Sequence, residues 1–277
     1  MVNLNGKLID SENVLTADNR AFLFGDGVFE TVRIIDRKIL FLEDHYFRLM
    51  AAMRIVRMEI PMAFTMEFFE SQLLLAAESE NAAKCGRARI TVFRNSGGFY
   101  LPATREVSWV VSAAPIENRD YRFERQVCEI ELFKDFYVTA HLLSTIKTTN
   151  RIVNITASIF ADENGFDNCL LLNESKNVVE ALQGNLFMLS GNRLVTPPLT
   201  DGCLNGIMRK QILKLAREID GIAVSESGIS PFDLQKADEL FMTNVVKGIQ
   251  PITKYRKKEY ETKFASTLLE KLNELIA

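Results

Sequence analysis

The sequence predicts a two-domain α/β protein, mixed α+β in each half. Three observations carry that expectation. The chain has 277 residues, 47% of them hydrophobic, enough for two domains with their own cores. Its strand-like runs pair into hairpins and its helical runs into neighbours, with no strict strand–helix alternation, so a doubly wound sheet is not expected. The periodicity lapses in the polar stretch Pro115-Ile-Glu-Asn-Arg-Asp120. That predicts an N-terminal domain over 1–114, a linker over 115–122 and a C-terminal domain over 123–277 that carries Lys147.

In chain order, Val2-Asn-Leu-Asn and Leu8-Ile9 read as strands around a Gly6-Lys7 turn. Gly25-Asp-Gly27 has the backbone latitude for a tight turn or for close approach to a ligand. Val28 to Ile35 is a strand, with Asp36-Arg37 a hairpin turn into Lys38-Ile-Leu-Phe41. Leu42 to Met53 has helical apolar spacing, with Asp44 the expected N-cap, and Phe64 to Ala77 is a second helix. Arg87 to Phe93 and Val107 to Ala113 are strands flanking the Gly- and Pro-bearing loop Arg94 to Pro102. In the second half, Gln126 to Leu132 is an expected strand, and Asn168 to Asn173 another, returning as Val178-Val-Glu180. Asn185 to Leu189 and Arg193 to Thr196 flank the hairpin turn Ser190-Gly-Asn192. Asn205 to Arg217 is an amphipathic helix, Asp238 to Asn244 a strand, and Phe264 to Ile276 a closing helix.

Composition narrows the function. A net charge of -3 favours neither nucleic acid nor an acidic membrane surface as partner. No apolar run approaches the roughly 20 residues needed to span a bilayer, and Met1-Val-Asn-Leu-Asn-Gly-Lys-Leu lacks a signal peptide's layout. Cys85, Cys128, Cys169 and Cys203 include no C-x-x-C pair, and read as buried small hydrophobes of a reducing cytoplasm. With two histidines, His45 and His141, no metal site is expected and a Ser-His-Asp triad has little raw material.

Acid–base chemistry therefore falls to Lys, Asp, Glu or Tyr. The segment Leu143-Ser-Thr-Ile-Lys-Thr-Thr-Asn-Arg151 holds Lys147 between a short strand-like run and a helix start. Taken alone, that is the setting of a surface charge. Three features can make one site. Lys147 is a candidate imine-forming amine. Gly206-Ile207, at a helix N-terminus, and Thr243-Asn244 offer backbone amides to a phosphate. Glu180 ends an apolar strand, where a buried carboxylate needs a cation or a protonated nitrogen.

The ordered motifs Phe24-Gly-Asp-Gly-Val-Phe-Glu-Thr31, His45-x-x-Arg48-Leu49, Ile146-Lys-Thr-Thr-Asn-Arg151, Val179-Glu180 with Asn185-Leu-Phe187, Thr196-Pro-Pro-Leu199, Gly206-Ile-Met-Arg209 and Ala237-Asp-Glu239 span almost the whole chain. Together they resemble the class IV pyridoxal-phosphate enzymes: branched-chain and D-amino-acid aminotransferases and 4-amino-4-deoxychorismate lyase. The resemblance implies the D-amino-acid aminotransferase-like fold type IV, a pyridoxal 5'-phosphate cofactor and a homodimer whose loops close the partner's site. It implies Lys147 as the amine that holds the cofactor and shuttles the proton at the substrate's reacting carbon. Glu180 would pair with the pyridine nitrogen. Arg48 would bind the phosphate, helped by Gly206, Ile207, Met208, Thr243 and Asn244.

Within that group three details lean toward the lyase. They are the lysine-x-x-Asn-Arg pattern with Ile152 where branched-chain enzymes carry a tyrosine, the helix start Asn205-Gly-Ile-Met-Arg209, and Thr243 to Pro251 in place of a small Gly-Thr-Ala turn. Arg94-Asn-Ser-Gly-Gly-Phe-Tyr100 also resembles the lyase's substrate loop, so Phe29, Arg94, Tyr100 and Arg105 are the expected substrate contacts. Thr196-Pro-Pro-Leu199 and the Phe24 motif are shared with the aminotransferases, the alternative activity. A third reading keeps the fold but binds without catalysing; intact Lys147, Glu180 and Arg48 argue against it.

Overall fold

The computed structural model describes every residue except Asn13 and Gln126. The chain folds as two compact units: Met1–Arg119 with Ile146–Asn150, and Asp120–Thr145 with Arg151–Ala277.

The first unit comprises β1 (Val2–Leu4), β2 (Lys7–Ile9), α1 (Arg20–Phe24), β3 (Gly27–Ile35), β4 (Lys38–Ile39), α2 (Leu42–Ile55), α3 (Met66–Ser79), β5 (Cys85–Arg94) and β6 (Val107–Pro115). Its strands form one sheet in the order β2-β1-β6-β5-β3-β4. β3 is buried along nearly its whole length, and α2 and α3 pack Leu49, Met53, Phe69 and Leu73 against Val32, Ile34, Ile90 and Val111 of the sheet. The turn into β4 places Asp36 and Arg37 at φ 47° and 64°, the left-handed pair that a two-residue hairpin needs. Thr65 caps α3 by accepting from the Phe68 amide at 3.2 Å. Asp44 does not cap α2. The chain passes from β4 into the helix through Phe41, at φ 56°, so the cap position falls before Asp44, which takes a first-turn place suited to a carboxylate.

The second unit comprises β7 (Glu129–Val138), α4 (Ile152–Glu163), β8 (Asn168–Asn173), β9 (Val178–Ala181), β10 (Asn185–Ser190), β11 (Arg193–Thr196), α5 (Ile207–Arg217), β12 (Ala223–Glu226), α6 (Pro231–Leu234), β13 (Glu239–Asn244), β14 (Gly248–Ile252), β15 (Lys254–Tyr255), β16 (Lys258–Glu259) and α7 (Lys263–Ile276). Two five-stranded sheets, β12-β11-β10-β13-β14 and β16-β15-β7-β8-β9, share one core. β8 shows why its sequence reads as an unbroken apolar run. Leu170 and Leu172 enter that shared core while Cys169 and Leu171 meet α4 on the other face, so both sides are covered. Across β10 and β13, Phe187 and Phe241 sit opposite one another with rings stacked 5.2 Å apart. The strand expected over Gln126 to Leu132 begins at Glu129 and runs to Val138; its expected first residue lies outside those described.

One expectation changes. Lys147 was placed with the C-terminal domain, and its segment instead packs inside the first unit. Ile146 is buried in that unit's core, and Thr148 bridges to Val28 in antiparallel fashion at the edge of β3. Unpaired backbone at a strand edge is satisfied by any segment that reaches it, whatever its place in the chain.

Leu73 is fully buried beneath the first sheet. Leu73→Ala should lower stability by about 2–5 kcal/mol, read as a shift in the urea midpoint at unchanged slope.

Candidate functional site

In the first unit the lysine is positioned by its backbone. The Lys147 carbonyl accepts from the Phe29 amide at 2.8 Å, and the Thr149 amide donates to the Gly27 carbonyl at 2.9 Å. The Gly25 carbonyl accepts from Thr149 Oγ1 at 2.8 Å and from Asn150 Nδ2 at 3.0 Å. Gly25 has φ 63°, and a Cβ there would lie 2.4 Å from Asn150 Oδ1, so the close approach requires glycine. The Gly25-Asp-Gly27 turn thus serves as a clasp for the lysine segment.

The half-buried Lys147 side chain places Nζ 4.6 Å from the centre of the Phe29 ring, and the Arg89 guanidinium carbon lies 3.7 Å from the same centre. Phe29, an expected substrate contact, therefore stands beside the Lys147 amine. Arg89 was not singled out from the sequence. The signal for it was available in the alternation of β5, whose residues 85–94 pair with β3 so that Arg89 faces Thr31 and Thr91 faces Phe29.

Arg48 and its supports form a buried cluster. Arg48 donates Nε to Glu30 Oε1 at 2.6 Å and Nη2 to Oε2 at 2.7 Å, a bidentate pair. His45 Nδ1 lies 2.7 Å from Glu30 Oε2, and both residues are essentially inaccessible. Burial works to raise the Glu30 pKa, but the charge and hydrogen bonds of Arg48, together with His45, outweigh it and bring the carboxyl down to about 2. Burial lowers His45 despite the neighbouring carboxylate, so the ring is neutral near pH 7 and donates Nδ1–H to Glu30. Its Nε2 is buried without a hydrogen-bond partner among the described residues. Glu30 and His45 were present in the quoted motifs without a role. A carboxylate inside a buried strand, followed by a His/Arg pair three residues apart on a helix, is the pattern that identifies them.

The other expected substrate contacts are Arg94, Tyr100 and Arg105. Arg94 is buried with its Nε and both Nη groups engaged: Asp26 accepts at 3.0 and 3.2 Å, and the Arg57 and Val56 carbonyls accept at 3.0 and 2.8 Å. Arg20 shares the Asp26 carboxylate and holds the Gly97 and Phe99 carbonyls at 3.0 and 2.7 Å. Burial pulls Asp26 upward, and the two guanidiniums outweigh it and leave its pKa below the ordinary value. Arg94 is therefore scaffolding for the loop that the sequence assigned to substrate. Tyr100 is 91% exposed against Phe24, and Arg105 is exposed, its carbonyl accepting from the Glu59 amide.

The second unit gathers the remaining residues. Glu180, buried on β9, accepts from the Leu204 amide at 2.9 Å through Oε2. Asn185 Nδ2 donates to the Leu204 carbonyl at 2.8 Å, fixing the approach to α5 from the other side. A Cβ on Gly206 would fall 1.9 Å from Asn185 Oδ1, so this N-cap must be glycine. Gly206 has no side chain to cap the 11-residue helix, leaving the amides of Ile207 and Met208 at its positive end. Thr243, beside Asn185 in the register of β13 and β10, has a buried Oγ1 with no hydrogen-bond partner among the described residues. Asn244 uses Oδ1 to accept from the Val246 and Lys247 amides at 3.0 and 2.9 Å, which shapes the turn into β14. Cys203, between these groups in sequence, is inert: burial, with Glu180 nearby, pushes its thiol to about 12.

Among the described residues no group of His, Cys, Asp and Glu has the arrangement of a metal site, and no helix is long and apolar enough to cross a membrane.

Glu30 titrates at 4.5 when unpartnered and at about 2 in the folded protein. Its contribution to stability is complete above about pH 4.5 and drains away as pH falls toward 2. Glu30→Gln should flatten that acid limb in a plot of unfolding free energy against pH.

The Amino-transferase class IV family profile matches residues 27–255. A putative branched-chain-amino-acid aminotransferase of Methanocaldococcus jannaschii is 28% identical over 98% of this chain and 93% of its own length. An aminodeoxychorismate lyase of Vibrio harveyi is 25% identical over 85% of each. The crystal structure of a branched-chain aminotransferase from Thermoproteus uzoniensis superposes with a TM-score of 0.88 at 24% identity, covering 99% of this chain and 94% of that one. With its fold and most of its length accounted for in this way, the chain belongs to the class IV amino-transferase family.

Proposed function

We propose that the chain is a pyridoxal-phosphate-dependent lyase that converts 4-amino-4-deoxychorismate to 4-aminobenzoate and pyruvate. The residues present fit the cofactor. The observation that carries this fit is the unpartnered, buried Thr243 Oγ1 in the unit where α5 begins without a side-chain cap. A buried hydroxyl without a partner is costly, and a phosphate oxygen satisfies it, while helix N-terminal amides favour the same anion. Glu180 is buried on β9, where a protonated ring nitrogen would suit its carboxylate charge. Arg48 and the amides at Ile207 and Met208 would take the phosphate, and Lys147 would hold the group covalently. The bound cofactor supplies an electron sink conjugated to the substrate's amine.

Lys147, clasped at β3, takes the proton from the ring carbon that bears the amino group. The carbon–oxygen bond to the enolpyruvyl group on the neighbouring ring carbon then breaks, and the ring becomes aromatic. Enolpyruvate leaves and, with a proton returned to its methylene carbon, becomes pyruvate. Phe29 shields the amine from water on one flank. Arg89, beside the same ring, meets a substrate carboxylate with a guanidinium suited to two-point contact. Two features support the lyase over a transaminase: the helix start Asn205-Gly-Ile-Met-Arg209, and Ile152, 68% exposed, at the place where branched-chain enzymes carry a tyrosine. Relatives named as aminotransferases motivate the second reading, in which the chain would exchange an amino group between an amino acid and a keto acid.

The two readings separate in one assay. Purified protein given 4-amino-4-deoxychorismate should form 4-aminobenzoate and pyruvate in equal amounts. Glutamate formed from leucine or D-alanine with 2-oxoglutarate, without 4-aminobenzoate, would overturn the lyase. Lys147→Ala should lose about 10²–10⁴-fold or more in rate and lose borohydride fixation of the cofactor to the peptide containing residue 147.

Arg89→Ala tests the carboxylate contact. KM should rise roughly 10- to 100-fold with kcat little changed, the pattern of a lost hydrogen bond to a charged group that does not depend on the reaction's progress.

A further inference from the structure

A cavity of about 450 Å³ opens in the second unit, among residues that have no part in the proposed reaction. Its cations are Lys134, Lys176 and Arg256, and its aromatic walls are Tyr137, Phe232 and Tyr255. We propose that it binds a small planar anion, an aromatic ring bearing a carboxylate or phosphate group.

The charge pattern is the first support. The chain has more acidic than basic residues, 36 against 33, yet no carboxylate lines this cavity. Arg256 is turned onto Glu131 at 3.1 and 3.2 Å. Lys134 and Lys176 have no ion pair among the described residues and are left to meet a ligand's charge. Lys176 is presented by a rigid turn. Its φ is 61°, its amide donates to the Asn173 carbonyl at 2.8 Å, and Asn173 Oδ1 accepts from the Ser175 and Asn177 amides at 3.1 and 3.0 Å. A non-glycine residue held in the left-handed region and pinned from both sides fixes where its side chain starts.

The aromatic walls are the second support. Phe232 is 79% exposed and Tyr137 42%, rings that a flat ligand would cover by stacking. Tyr255 is 1% exposed, and its hydroxyl makes no hydrogen bond among the described residues. A polar acceptor in the cavity would satisfy it. Pro231 at the first position of α6 and the Ser230–Asp233 capping box hold Phe232 in place.

Titration calorimetry on the full-length protein tests this with benzoate, adenosine monophosphate and neutral benzyl alcohol as probes. At least one anion should bind saturably, and more weakly at high salt, while benzyl alcohol does not; which anion binds tells carboxylate from phosphate. The Lys134→Glu/Lys176→Glu double variant, and separately Phe232→Ala, should each lower that affinity by about tenfold or more, with circular dichroism confirming an intact fold. Arg89→Ala should leave it unchanged. No binding by either anion up to about 10 mM, binding that survives the double variant, or binding that is lost in Arg89→Ala would each overturn the proposal.

Discussion

Lys147 is placed by hydrogen bonds of its own backbone. Its carbonyl is held by the Phe29 amide, and the residues that follow it are tied to Gly25 and Gly27. With the main chain fixed in this way, the point from which the Lys147 side chain starts is set by the edge of β3. Much of the first unit serves that clasp. Gly25 is glycine because Asn150 occupies the space of a Cβ. Glu30, one residue beyond Phe29 on the same strand, organises Arg48 and His45.

Two buried carboxylates in this unit illustrate one rule. Glu30 binds Arg48 and His45, and Asp26 binds Arg20 and Arg94. In each case burial works against the charged acid, and guanidinium charge and hydrogen bonds override it. The outcomes differ because of what the cations touch next. Arg20 and Arg94 end on loop and helix carbonyls and therefore build scaffold. Arg48 is oriented by a bidentate partner and belongs to a cluster with Lys147 among its electrostatic neighbours.

The α5 start in the second unit reverses this logic. Glycine at the cap, a hydroxyl at Thr243 without a partner among the described residues, and a buried carboxylate at Glu180 are each costly in a finished core. Concentrating such costs in one region is what a binding site for a charged, phosphorylated group predicts, and a well-satisfied interior does not.

The order of motifs, the hairpins and the amphipathic helices were all readable from the chain, because each is a local pattern of period two or three and a half, or a run of fixed spacing. Lys147 and Glu180 stand out in those patterns, whereas the roles expected of them, of Arg48 and of Phe29 come from the motifs' resemblance to a known family. Which unit Lys147 packs into, that Arg94 turns donors onto Asp26, that Phe41 rather than Asp44 holds the cap position of α2, and that Arg89 stands at Phe29 were decided only by tertiary structure. An arginine's spacing in sequence does not say which carboxylate reaches it first. Strand register and the pairing of distant edges determine that, and both arise from contacts between segments far apart in the chain.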